Sequence, residues 1–215
     1  NDNDLDIYVA NDKVMNHMFI NNGDGTFLEE GLFLGVGFNE NGKAEAGMGV
    51  DVGDYNSDGW FDLFVTNFSG ESNTLYKNEK NGFFSDVTFA TGLGQPSLDL
   101  LSWGTKFIDL DLDGDLDIFT VNGHINENVK YFSSNYFYKQ PKQIFINLGD
   151  GKFVDNSKKY GLVIGKKEVS RGAAFADIDN DGDSDIIISN NNSFATLIIN
   201  ENKNKNNWIG LILEG

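Results

Sequence analysis

Cysteine is absent from the 215 residues, which excludes disulfides, thiolate metal sites and a cysteine nucleophile. There are two prolines and two histidines, His17 and His124. Arg171 is the single arginine, so no arginine cluster exists to grip phosphates. No apolar run is long enough to cross a bilayer as a helix. Positive charge is scarce overall. The formal net charge is −17 and the pI about 4.3, a balance that disfavours nucleic acid and anionic membranes as partners.

What the chain has instead is aspartate, in one recurring pattern. Asp109, Asp111, Asp113, Gly114 and Asp117 form one copy, and Asp177, Asp179, Asp181, Gly182 and Asp185 another. A third reads Asp54, Asn56, Asp58, Gly59, Asp62. The chain opens inside a fourth, in which Asp2 and Asp6 align with Asp181 and Asp185. Sixteen of the 33 acidic residues lie in these four loops. Such crowding of like charge is costly unless a hard cation sits among the oxygens. Oxygen donors alone, with a glycine at the bend, predict Ca²⁺. Four such ions would carry eight positive charges and bring −17 to −9.

An EF-hand is excluded, because it needs a Glu at the twelfth position and helices on both sides. Here the twelfth residues are Thr120 and Ile188, and β-type apolar runs follow the ninth-position aspartates: Ile118–Val121, Ile186–Ile188 and Leu63–Val65. Each loop therefore joins two strands. The side chains at positions one, three, five and nine are the expected ligands, joined by the seventh-position backbone carbonyls of Trp60, Asp115 and Asp183. Asn56 removes one negative charge from the second loop and predicts a weaker site there. Asn22–Gly25 and Leu148–Gly151 each hold a single Asp and are read as hairpin turns.

The glycine-preceding aspartates Asp2, Asp58, Asp113 and Asp181 are separated by 56, 55 and 68 residues. A period of this size means stacked units, none able to bury its own core. Each unit repeats one order: a strand into the loop, an apolar strand out, a third strand, a tight turn and a last strand that starts with phenylalanine. That order predicts an all-β chain of four-stranded antiparallel β-propeller blades, with units of roughly 1–45, 46–101, 102–168 and 169–215. A β-solenoid is the competing architecture, though its repeats are usually shorter. The 18 phenylalanines suit contacts between blades. A chain that opens within a loop is expected to be part of a larger ring.

Metal loops between blade strands resemble the FG-GAP/VCBS repeats of integrin-type propellers. Several segments are similar to the bacterial ASPIC/UnbV group, which is related to animal cartilage acidic protein. They are Gly47–Tyr55, Asp62–Glu71, Val121–Ile125, Ser170–Gly172 and Asn207–Leu211. The resemblance implies a seven- or eight-bladed ring with a small further domain after the Trp208 strand. It implies an extracellular or cell-surface location too, which suits loops that need millimolar calcium.

His17 reads as a loop or packing residue. His124 opens an insertion that runs to Pro141 and accounts for the longest spacing; it is rich in rings, with Tyr131, Phe132, Tyr136, Phe137 and Tyr138. Either these rings pack on their own blade or they form a recognition surface. The insertion and the inter-blade linkers belong on the face opposite the calcium loops. Two functions follow. The first is a non-catalytic, calcium-binding extracellular scaffold for protein or glycan partners, without membrane insertion. The alternative is a calcium-dependent polysaccharide lyase or hydrolase; Lys130 and His124 could supply its base, but nothing in the sequence marks them out. No catalytic residue is assigned.

Overall fold

A computed structural model describes residues 4–202 of the chain. Asp2 and the Trp208 segment lie outside the described residues. Four antiparallel sheets follow one another along the chain. The first contains β1 (Ile7–Val9), β2 (His17–Asn21) and β3 (Phe27–Glu29). The second contains β4 (Val50–Gly53), β5 (Asp62–Val65), β6 (Thr74–Asn78) and β7 (Phe84–Asp86). The third contains β8 (Ser102–Ile108), β9 (Asp117–Asn122), β10 (Gln143–Asn147) and β11 (Phe153–Asp155). The fourth contains β12 (Ser170–Ala176), β13 (Asp185–Asn190) and β14 (Thr196–Ile198). Each sheet is a simple meander in chain order. These are successive β-propeller blades; a parallel solenoid is excluded. β1 occupies the second-strand position of the repeat.

The second strands show why the sequence reads as apolar runs there. Every residue of β5 and of β9 is buried, because another sheet covers each face. In β13 the pattern alternates, with Ile186 and Ile188 buried and Ile187 exposed. The core lies between blades. Val36, Leu63, Val65 and Tyr76 pack with Tyr8 and Met18 between the first two sheets. Tyr55, Phe64, Phe107, Phe145 and Phe153 fill the next gap, and Ile108, Phe119, Ile144, Ile186 and Ile188 the third. Phenylalanine thus dominates one gap and isoleucine another.

The inner strands β4, β8 and β12, the first of their sheets, approach one another closely. A Cβ on Gly49 would lie 2.1 Å from the Trp103 carbonyl oxygen, and one on Gly104 would lie 2.9 Å from the Ala173 nitrogen. Glycine is required at both places by contact, not by φ. The ladders of β8 and β12 are irregular at Ser102–Thr105 and Ser170–Gly172. Beside these irregularities Arg171 lies over Trp103, with the guanidinium carbon 4.3 Å from the ring centroid.

The linkers carry short helical turns that the apolar periodicity did not signal: α1 (Gly94–Ser97) and α2 (Gly161–Gly165). In α1 the Ser97 hydroxyl donates to the carbonyls of Leu93 and Gly94, which closes the turn around Pro96.

Candidate functional site

The three complete aspartate loops share one hydrogen-bonded frame. In the second blade the first-position carboxylate accepts from the backbone: Asp58 N to Asp54 Oδ1 at 2.9 Å and Gly59 N to Asp54 Oδ2 at 2.7 Å. Asp109 accepts from Asp113 N and Gly114 N, both at 3.0 Å, and Asp177 from Asp181 N at 3.1 Å and Gly182 N at 3.0 Å. The fifth-position carboxylate accepts from the seventh amide in each case, as Trp60 N to Asp58, Asp115 N to Asp113 and Asp183 N to Asp181. Folding the loop this tightly takes two left-handed residues. The sixth position is glycine, with φ of 85°, 99° and 97° at Gly59, Gly114 and Gly182. The fourth is Ser57, Leu112 or Asn180, with φ between 55° and 62°.

The ninth-position aspartates are different in kind. Asp62, Asp117 and Asp185 are almost wholly buried at the start of their strands. Asp117 accepts from Asn147 N at 2.8 Å and Leu110 N at 3.0 Å, and Asp185 from Asn200 N at 2.9 Å and Ile178 N at 2.8 Å. Asp62 accepts from Asn78 N at 2.8 Å, and Asp6 from Asn21 N at 2.9 Å. Burial pushes Asp62 and Asp117 up to about 7; the amides that bond them oppose the shift, and the neighbouring loop carboxylates add to it. Asp111, Asp179 and Asp183 are raised by desolvation and then by loop neighbours. Desolvation is the largest cause for all five, and the like charge of loop neighbours adds to it.

Oxygens of Asp109, Asp111 and Asp117 lie within 4.8 Å of one another, as do those of Asp177, Asp179 and Asp181. In the loop of Asp54, Asp58 and Asp62, Asn56 supplies an amide oxygen, which accepts from Asp58 N at 3.2 Å. The seventh-position residues place their amides on the loop interior, and the Asp183 side chain has a further role: its Oδ2 accepts from Asn202 N at 2.9 Å.

Sequence reading passed over one residue type here. Asn21, Asn78 and Asn147 end β2, β6 and β10, and Asn200 lies two residues past β14. Each donates its backbone amide to the ninth-position aspartate. Their side-chain amides donate to loop carbonyls, and two of these bonds cross to the preceding blade: Asn147 Nδ2 to Tyr55 O at 2.8 Å and Asn200 Nδ2 to Leu110 O at 3.0 Å. The signal was available, since an Asn recurs at the same place in four repeats.

The other face holds the insertion. His124 is buried, its Nδ1 accepts from Asn126 N at 3.0 Å, and its ring lies between Phe68 and Tyr136, with centroids 5.3 and 6.4 Å away. Burial lowers its pKa. His124 and Tyr136 therefore pack, whereas Tyr131 and Phe132 stand 87% and 80% exposed. His17 begins β2 with Nδ1 3.2 Å from Glu29. The face also buries polar groups that the sequence reading did not single out. Lys142, fully buried, donates to Glu168 at 2.6 Å. Burial alone would raise the Glu168 carboxyl, but Lys142 and Lys166 override it and hold it at about 2. At the equivalent place before the second blade, Glu45 has no lysine ion-pair partner among the described residues, accepts from Thr74 Oγ1 at 2.6 Å and Asn67 Nδ2 at 3.0 Å, and is raised by burial.

Antiparallel blades with repeated aspartate loops between their first two strands define a repeat propeller. The chain belongs to the FG-GAP-like repeat family, whose model matches residues 1–65, 54–120 and 131–188. It is 28% identical over 222 residues to cartilage acidic protein 1 of Xenopus tropicalis and 27% identical over 214 residues to that of Homo sapiens. Both alignments cover 96% of this chain and 30% of the relative, so the chain spans under a third of those proteins' length. These relatives support the resemblance to the ASPIC/UnbV group. A solved structure of an Agrocybe aegerita lectin, described as recognising non-reducing terminal N-acetylglucosamine, superposes with a TM-score of 0.50 at 19% identity. It covers 91% of this chain and 50% of the lectin. At that identity the likeness is one of fold.

Proposed function

We propose that this chain is a calcium-stabilised, extracellular binding and scaffold module, with the metal loops on one face and protein or glycan recognition on the other. The observation that carries the metal reading is the repeated frame: three loops of different sequence hold the same aspartate positions through the same backbone bonds. The donor set fits a hard cation. Carboxylate oxygens converge in two of the loops, and every assigned side chain offers oxygen. Asp54, Asn56, Asp58 and Asp62 would hold one ion with the Trp60 carbonyl. Asp109, Asp111, Asp113 and Asp117 would hold a second with that of Asp115, and Asp177, Asp179, Asp181 and Asp185 a third with that of Asp183. Asp6 with Asp2 would contribute to a fourth. Calcium supplies positive charge that cancels the repulsion among these groups and braces the joint between first and second strands. Loops of this kind suit millimolar calcium, which supports an extracellular setting.

A lyase or hydrolase reading gains nothing from His124, which is buried between two rings with its Nδ1 engaged. Elemental analysis of protein equilibrated with millimolar calcium against a calcium-matched buffer blank, paired with melting curves in calcium and in excess chelator, tests the metal reading. At least two bound calcium ions per chain and a lower melting temperature in chelator are expected. A metal-free protein whose melting ignores calcium overturns it.

A further inference from the structure

Between the third and fourth blades, on the face opposite the aspartate loops, lies a pocket of about 320 Å³. Tyr138 and Lys139 from the end of the insertion, Lys166 and Lys167 from the linker, and residues 191–193 from the β13–β14 loop line it. We propose that this pocket is a binding site for an acidic saccharide, one bearing a carboxylate or sulfate.

The walls are held by backbone bonds. His124 N donates to Tyr138 O at 2.9 Å, Gln140 and Glu168 exchange amide bonds at 2.8 and 3.1 Å, and Asn191 N donates to Val169 O at 2.7 Å. Asn190 Nδ2 closes the β13–β14 loop through Phe194 O at 2.8 Å and Thr196 Oγ1 at 2.9 Å. Three separate chain segments are thereby fixed around one cavity before any ligand arrives, which limits the ordering cost of binding.

Charge points to an anion. On a chain of net charge −17, three lysines line this pocket beside two glutamates, and one of these, Glu168, is already paired with the buried Lys142. Lys166 is partly committed, with its ammonium 2.7 Å from Glu168, and Lys167 lies over the Phe137 ring at 4.9 Å. Lys139 has no ion-pair partner among the described residues and is left for a ligand. The remaining lining points to a sugar rather than a bare anion. Asn191, Asn192 and Ser193 offer amides and a hydroxyl, Tyr138 adds an aromatic side chain, and Glu127 can accept from hydroxyls but would repel an ion that has none to donate. The volume suits a small ligand, near the lower end of ligand pockets. This inference rests on the binding-module reading and names its site.

The test is calorimetry in millimolar calcium at low salt, using trigalacturonic acid, a sulfated disaccharide, a neutral trisaccharide and a hexaglutamate peptide. Acidic saccharides should bind at least tenfold tighter than the neutral one, and more weakly at high salt. Lys139→Ala/Lys167→Ala should lose at least tenfold in affinity with an unchanged melting temperature. Lys152→Ala/Lys158→Ala, outside the pocket, should bind like the parent. Absence of binding by either acidic saccharide, or equal affinity in the pocket variant, overturns the proposal. Equal affinity for hexaglutamate overturns the saccharide class. Failure here with calcium-dependent melting intact counts against the pocket and not against the metal loops.

Discussion

Asn147 Nδ2 donates to the Tyr55 carbonyl at 2.8 Å, so the third blade is bonded directly into the aspartate loop of the second. The same amide group reaches Leu116 O at 3.1 Å in its own blade. Asn147 is buried, and Tyr55 packs its ring against Phe153. One side chain therefore couples two loops across the gap between sheets.

Replacing it should cost stability. Asn147→Ala strands two carbonyls, one of them between blades, and should destabilise the fold by about 1–3 kcal/mol, read by urea titration. Asn22→Ala, whose side chain bonds only Thr26 at the surface, should change little. Equal effects of the two substitutions would count against the bridging role.

Removing calcium should lower Tm. If each site binds near 10 μM, millimolar calcium adds about 2.7 kcal/mol per site. Asp113→Ala and Asp181→Ala should each lower Tm in calcium by about 5 °C or more and leave Tm in chelator nearly unchanged. Asp150→Ala, in a hairpin where the carboxylate accepts only Lys152 N at 3.2 Å, should show no such calcium-linked loss.

Glu168 gives a pH dependence with a defined sign. Its carboxyl sits at about 2 in the fold, below its usual 4.5, so it stabilises the folded state at higher pH. That contribution is lost as pH falls from about 4.5 towards 2. Glu168→Gln should therefore be less stable than the parent at pH 7, by about 3–5 kcal/mol, because Lys142 is left charged and buried. The difference should close as pH falls through that window. Denaturant midpoints for both proteins between pH 7 and 2.5 measure it; a gap that stays constant removes Glu168 as the cause.

Gly49→Ala should be far more damaging than Gly165→Ala. The first Cβ would meet the Trp103 carbonyl at 2.1 Å, while the second has nothing within 4 Å. Loss of more than about 3 kcal/mol is expected for Gly49→Ala, since backbone must move, and a change within about 1 kcal/mol for Gly165→Ala. Thermal unfolding of the two variants decides it.

Much of this arrangement was legible from residues alone. Strands follow the aspartate loops because Asp117–Asn122 and Asp62–Val65 are apolar runs whose two faces are both covered. The terminal strands begin with phenylalanine close to where the pattern put them, at Phe27, Phe84 and Phe153. What the pattern missed depends on three-dimensional neighbours. Asn147 looks like an ordinary strand-end residue until its partner, 92 positions away in sequence, is placed beside it. Lys142 reads as a surface lysine until Glu168 is seen to bury with it. The turns α1 and α2 span four and five residues, too short to set up a helical period. The insertion's rings carry no mark of which ones pack. Tyr136 and Tyr131 differ only in what stands near them.

The glycines of the inner strands have a consequence for overall curvature. Gly49 and Gly104 occupy the same register in successive blades, and each meets the backbone of the next inner strand. The distance between neighbouring strands at the hub is therefore set by main chain against main chain, while isoleucine or phenylalanine fills the wider gaps further out. The angle at which one blade fans from the next is thus fixed mainly at the narrow end of the wedge. Packing residues between blades are free to vary from gap to gap, as they do here, provided their volume fits an opening that the glycines have already defined.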